Sequence, residues 1–247
     1  GDSTVRVWEL ATLTEKYSKP FANGGKEFAV SDNGRMVITN REGTYVLEIH
    51  TGEQIVKIPV PGQTAAISKD GSLVAVAKQD SPVTVWRIEG DRSFSKVCEF
   101  PRGSGEWASL NFIRNGTQIV CSSSEGHLIV YNSADGAVIR SNQGHPHRTN
   151  KCDFLLLSDD ESKYICMDFG SKTLHNLSND AQLDVYPDVH RMAILPGNRY
   201  LAYLNRPASI QIYDTKSKSL SEKLPSQHLP ANRTDGDYLA ASPDGRY

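Results

Sequence analysis

Apolar and polar residues alternate in short runs along this chain, and most runs end in a cluster of glycine, asparagine, aspartate or serine. A period of two puts successive side chains on opposite faces of an extended backbone, so these runs predict β-strands. The clearest are Val5-Arg6-Val7-Trp8, Val83-Thr84-Val85-Trp86, Leu128-Ile129-Val130-Tyr131 and Ile210-Gln211-Ile212-Tyr213, each closing on a large aromatic residue. Tyr45-Val46-Leu47 and Thr173-Leu174-His175 are weaker versions of the same phrase. No segment shows the apolar spacing of an amphipathic helix. The expected fold class is all-β.

The strand phrase repeats with a period. Its last residues fall at positions 8, 47, 86, 131, 175 and 213. A second marker keeps step with it, a small-apolar stretch entering a tight turn: Ala29 to Gly34, Ala66 to Gly71, Asn111 to Gly116 and Ala240 to Gly245, with Ala193 to Asn198 as a variant. Asn-Gly and Asp-Gly at these turns predict type I′ hairpins, whose two central residues need positive φ. Each period divides into four short strands, and a recurrence of this length signals a repeat architecture. One four-stranded sheet has two partly apolar faces, so neighbouring units must cover each other, and stacking such sheets around an axis buries both.

Residues 25–60, 64–101, 107–142, 151–187 and 189–225 read as five complete four-stranded antiparallel blades of one β-propeller spanning 1–247. Residues 1–20 read as the end of a blade and 233–247 as the start of another. Both ends are expected to be cut from a longer protein. The end pieces could share a blade in a six-bladed ring, but the second strand opened by Arg246-Tyr247 is unfinished, which favours a seven-bladed or larger parent.

Asp2 to Trp8 and Asp80 to Trp86, each with Asp six residues before Trp, resemble the repeat ending of the WD40 family. Gly144-His145 is similar to the Gly-His that opens many of its repeats, and Ser242-Pro243-Asp244-Gly245 to its Ser-Pro-Asp-Gly turn. The resemblance extends at repeat level over the whole chain. It implies structural roles for Asp2, Trp8, Gly34, Asp70, Gly71, Asp80, Trp86, Gly116, Tyr131, His145, Tyr213, Asp244 and Gly245. Departures mark a divergent member or a broader propeller type: Arg41, Glu125 and Pro207 stand where the aspartate is expected, and His175 where the Trp is. The period at 151–187 is the most degenerate, with a longer turn at Ser158 to Ser162.

A net charge of −2 over 27 basic and 29 acidic residues leaves no global field to recruit nucleic acid or an anionic membrane. The longest apolar runs, such as Phe154 to Leu157, are far too short for a membrane span. Cys98, Cys121, Cys152 and Cys166 each fall in a strand and lack paired spacing, so they read as free thiols of an intracellular protein, cytoplasmic or, as the alternative, nuclear. Three glycosylation triplets, at Asn115, Asn176 and Asn232, point the other way.

Catalytic patterns are weak. Gly103-Ser104-Gly105 fits neither a nucleophile elbow nor a phosphate loop. His145-Pro146-His147 with Asp153 lacks a supporting ligand pair, and Asp159-Asp160-Glu161 reads as a solvated hairpin tip. No catalytic residue, metal or cofactor is expected. In propellers the connectors between blades and the turns between second and third strands line one face, which nominates Arg41, Trp107, His147, Arg148, Tyr186, His190 and Arg206 for partner contact. The expected function is a protein-interaction scaffold for protein or peptide partners, with neither membrane nor nucleic-acid binding. The alternative is an enzyme-associated propeller, such as the gating domain of a serine peptidase or a quinoprotein- or lactonase-like enzyme.

Overall fold

The alternating runs are strands in the computed structural model, which describes residues 4–9, 14–21, 27–78, 81–90, 92–101, 107–123, 127–142, 154–158, 160–167, 171–179, 182–187, 191–194, 200–205, 209–214, 216–217 and 219–224. Every regular element among them is a β-strand. The chain divides into two compact units, Gly1–Asp153 and Phe154–Tyr247.

The first unit opens with a two-stranded sheet, β1 (Thr4–Glu9) and β2 (Thr14–Pro20). Three four-stranded sheets follow. The second sheet holds β3 (Glu27–Val30), β4 (Arg35–Thr39), β5 (Thr44–Glu48) and β6 (Gln54–Ile58). The third holds β7 (Thr64–Ile67), β8 (Leu73–Ala77), β9 (Val83–Ile88) and β10 (Phe94–Phe100). The fourth holds β11 (Trp107–Ile113), β12 (Gln118–Ser123), β13 (Leu128–Asn132) and β14 (Val138–Asn142). The second unit contains a fifth sheet of β15 (Phe154–Leu157), β16 (Lys163–Met167), β17 (Ser171–Asn176) and β18 (Gln182–Pro187). Its sixth sheet is β19 (Arg191–Ile194), β20 (Tyr200–Asn205), β21 (Ser209–Asp214) and β22 (Ser219–Leu224). In each, strands consecutive in sequence are adjacent and antiparallel.

Alternation along the strands divides the core between neighbours. In β8, Val74 and Val76 pack toward Val37, Val46, Val56 and Ile58 of the second sheet. Ala75 and Ala77, one residue out of phase, pack toward Leu110, Phe112, Ile119 and Tyr131 of the fourth. The small alanines on that side accommodate large partners, including the stacked rings of Phe100 and Tyr131, 4.0 Å apart. On the other side of the second sheet, Met36, Ile38 and Leu47 meet Val5, Phe21 and Tyr45. Full burial of each aliphatic side chain contributes about 1.5–3 kcal/mol, so a sheet with one uncovered face would lose much of its stability.

All six sheets carry the same irregularity, which the repeat pattern did not reveal. The pairing shifts by one residue just before Trp8 in the two-stranded sheet, and between third and fourth strands just before Leu47, Trp86, Tyr131, His175 and Tyr213 in the other five. One extra residue on the later strand is left unpaired at each place. A β-bulge increases the local twist, so the residue after each shift marks a place where strand pairing and twist change together.

The hairpin turns correct the type I′ expectation at two of three sites. In Ser31-Asp32-Asn33-Gly34 only Gly34 has positive φ, +81°, and its N–H donates to the Ser31 carbonyl (3.2 Å). Ser68 to Gly71 is built alike, with Gly71 at +68°. The side-chain hydroxyl of the opening serine replaces the second positive-φ residue as the organising element. Ser68 Oγ donates to Asp70 Oδ1 (2.6 Å) and accepts from Leu73 N (2.9 Å). Only Arg114-Asn115, at +52° and +53°, has the positive pair a type I′ turn needs.

Ser158 to Ser162 was expected to be longer than its counterparts, but it closes as Ser68 to Ser72 does. Ser158 N donates to Lys163 O at 3.0 Å as Ser68 N does to Leu73 O at 2.9 Å, and Ser158 Oγ donates to Asp160 Oδ1 (2.7 Å). Glu161, at φ +54°, occupies the place of Gly71. Partial burial raises the Asp70 and Asp160 carboxyls, but hydrogen bonds from the flanking serines outweigh it and hold both below their ordinary 3.8.

These turns generate two predictions. Gly71→Ala places a Cβ on the Asn33 amide in a left-handed backbone and should cost about 1–3 kcal/mol in urea unfolding. Glu161→Gly should instead gain about 0.5–1 kcal/mol, because glycine carries no penalty at positive φ. The lowered Asp70 and Asp160 values mean that their contribution is complete above pH 3.8 and lost as pH falls through the folded-state values. Unfolding measured against pH should show that acid-side loss diminished in an Asp70→Asn, Asp160→Asn variant.

Candidate functional site

In the second sheet, the turn joining second and third strands is Asn40 to Gly43. Asn40 is buried, and its Oδ1 accepts the Glu42 N–H (2.8 Å) and the Gly43 N–H (3.1 Å), while its own N–H donates to Gly43 O (3.0 Å). A Cβ on Gly43 would lie 2.7 Å from the Ile58 carbonyl, so β6 passes directly against the turn. Thr44 Oγ1 donates to Val60 O (2.7 Å), tying the following connector to the same place. Gly62 continues that connector over Thr39, where a Cβ would stand 3.0 Å from the threonine methyl.

Two charged side chains, Arg41 and Glu42, stand exposed on this pinned backbone. Glu42 accepts the Tyr45 hydroxyl at 3.4 Å and lies 4.0 Å from Lys57 Nζ. The Lys57 ammonium sits 5.0 Å above the Tyr45 ring, and its pKa is raised, mainly by hydrogen bonding to that tyrosine. Tyr45 is in turn braced edge-on by Phe21, 5.0 Å away. The surface presents charge of both signs over a fixed aromatic base.

Beneath this end of the sheets lies a layer of buried hydroxyls. Thr39 and Thr44 face each other across the second sheet and Ser109 and Ser122 across the fourth, while Thr64 pairs with Ala77 in the third. Small polar side chains let connectors approach closely here, where larger apolar ones fill the middle of each strand.

Of the nominated contact residues, Arg41 is the one fully described. Trp107 opens β11 opposite Ser123, and Tyr186 lies in β18 opposite Lys172. His147, Arg148, His190 and Arg206 lie outside the described residues, as do Asp2, Asp80, His145, Asp244 and Gly245. Cys152 is also outside them.

The third-strand markers occupy equivalent positions with different chemistry. Trp86 Nε1 donates to Thr84 Oγ1 (2.9 Å), and His175 Nε2 bonds Thr173 Oγ1 (2.8 Å), so both rings use a threonine two residues earlier. His175 is buried and stacked on Tyr164, 5.0 Å between centroids. Tyr131 donates to Pro101 O at 3.4 Å, and burial, aided by the neighbouring Cys121, pushes its phenol up to about 12. Trp8 is described through its backbone in β1, and Tyr213 is half-buried in β21.

Reading the aspartate position alone pointed at Arg41 and passed over Asn40, which supplies the capping oxygen one residue earlier. An asparagine entering a turn that ends in glycine was the available signal. Cys98 and Cys121 form no disulfide, and Cys121 and Cys166 are buried. Burial raises the Cys98 and Cys121 thiols and makes them poor nucleophiles.

No protein-family model matches the chain, and no curated protein does. Solved structures do. The C-terminal WD40 domain of Sif2 matches at 14% identity with a TM-score of 0.67, covering 99% of this chain and 71% of that one. The Cps50 (Swd1) β-propeller domain of Myceliophteria thermophila matches at 13% identity with a TM-score of 0.72, covering 98% and 84%. The likeness shows the fold, a β-propeller of the WD40 type.

Asn40→Ala removes the acceptor of two turn amides and should cost about 1–3 kcal/mol. Native-state hydrogen exchange should show the Glu42 and Gly43 amides opening faster, with strands β8 and β9 unchanged.

Proposed function

We propose that this chain, a divergent propeller of the WD40 type, is a non-enzymatic interaction scaffold that offers the surface around Asn40 to Gly43 to a protein or peptide partner. The observation that carries this reading is the turn itself. Its backbone is held by the buried Asn40 amide, while Arg41 and Glu42 project from it into solvent. Side chains on a fixed backbone lose less entropy on binding than the same residues on a mobile loop, which leaves more of the contact energy as affinity.

Opposite charges on adjacent residues favour a partner carrying a complementary acidic and basic pair. The overall charge of −2 gives little long-range attraction of any polyanion, so recognition would rest on local pairing and shape. An intracellular home is part of the proposal, supported by Cys98 and the buried Cys121, neither of which forms a disulfide.

The test is affinity capture with the full chain, coupled to cross-linking that maps the contact. Recovery of a partner cross-linked near Arg41 is expected, and an Arg41→Glu, Glu42→Lys variant should weaken it by about tenfold or more without changing the thermal midpoint. A partner whose binding ignores the charge reversal would place the interface elsewhere, and repeated recovery of none would overturn the scaffold reading.

A further inference from the structure

Three turns occupy the same place between first and second strands and carry Asx-Gly: Asn33-Gly34, Asp70-Gly71 and Asn115-Gly116. Two of them open with serine, two residues before the Asx. Ser31 Oγ donates to Asn33 Oδ1 (2.6 Å), and Ser68 Oγ donates to Asp70 Oδ1 (2.6 Å). Asn33 is held a second time, because its Nδ2 donates to the Asp70 carbonyl of the neighbouring sheet (2.6 Å). In the third turn the serine position is Ile113, a buried residue with no hydroxyl to offer. The Asn115 side chain is exposed and makes no hydrogen bond to any described residue.

We infer that Asn115-Gly116 is a site of spontaneous deamidation in the folded protein, while the same dipeptide at Asn33-Gly34 is protected by its hydrogen bonds. The Gly116 backbone nitrogen, after losing its proton to hydroxide, attacks Asn115 Cγ. The new N–Cγ bond replaces the Cγ–Nδ2 bond, and ammonia leaves. One water then opens the cyclic imide at either carbonyl, giving aspartate or isoaspartate. The reaction needs the amide to rotate onto the following nitrogen, which Asn115 can do without breaking a bond and Asn33 cannot.

The attacking nitrogen does not distinguish the two sites. Gly116 N donates to Ile113 O at 3.1 Å and Gly34 N to Ser31 O at 3.2 Å. The side-chain restraint is therefore the discriminating feature, and Ser31 against Ile113 is its origin in sequence. The product would be felt beyond the turn. Gly116 O accepts the Ser133 hydroxyl (2.5 Å), and a Cβ on Gly116 would lie 3.3 Å from Ser68 Cβ. Isoaspartate lengthens the backbone at this junction between third and fourth sheets and adds a negative charge to it.

The full chain, aged at mildly alkaline pH and sampled by peptide-mapping mass spectrometry, tests this. Two net hydrogen bonds at Asn33 should make native deamidation about thirtyfold faster at Asn115 than at Asn33. In urea the two sites should react at matching rates, because only the fold separates them. Ser31→Ala removes one restraint, and in a variant still folded by circular dichroism the ratio should shrink to about fivefold. Equal native rates, a faster Asn33, or a Ser31→Ala variant with unchanged Asn33 chemistry would each overturn the inference.

Discussion

The second and third sheets each bury apolar side chains on two faces, and no sheet can cover both by itself. β8 shows the constraint in five residues: Val74 and Val76 belong to the interface with the second sheet, and Ala75 and Ala77 to that with the fourth. A strand that alternates between two buried destinations has no solvent face through its middle, so polar residues are driven to its ends and to the turns. The hydroxyl layer at Thr39, Thr44, Thr64, Ser109 and Ser122 and the serine-opened turns at the other end follow from that sorting.

Side-chain packing is non-directional, so it cannot alone set how one sheet is placed on the next. Polar contacts at the margins supply the direction. Asn33 and Arg35 donate to the carbonyls of Asp70 and Gly71 in the next sheet (2.6 and 2.9 Å). At the outer edge, Tyr17 and Lys19 of β2 donate to Ile49 and Gly52 carbonyls (both 2.8 Å), Arg92 N donates to Ile55 O (3.2 Å), and Cys98 Sγ to Ser133 O (3.3 Å). Three successive interfaces of the first unit use the same part of each sheet, the turn between third and fourth strands against the fourth strand before it. The bulge beside each third-strand marker twists that edge, and the repetition of both features indicates that twist and contact belong together.

The same economy shows where residues differ at one repeat position. Trp86 and His175 share no shape, yet each satisfies its ring nitrogen from a threonine two residues earlier. Asn40 caps a turn in which the expected aspartate position is Arg41. The backbone requirement is constant, a donor or acceptor at a fixed place, and different side chains meet it from neighbouring positions. That freedom is compatible with 13–14% identity to solved propellers over nearly the whole chain.

The all-β class and the four-strand period were legible in sequence, because alternation, turn residues and their phase are local properties that each period repeats. The equivalence of Trp8, Leu47, Trp86, Tyr131, His175 and Tyr213 was legible for the same reason. Only the tertiary structure revealed the bulges, which depend on how two strands pair and leave no composition of their own. The turn type at Gly34 and Gly71 was also beyond local reading, since Asn-Gly and Asp-Gly fit more than one geometry and a serine hydroxyl selects among them. Arg41 was found for its position and Asn40 was not, because the capping oxygen is defined by the amides it reaches in the folded turn rather than by its place in the repeat. Sequence determines which residues must leave water, and the packed sheets decide which polar atoms then meet.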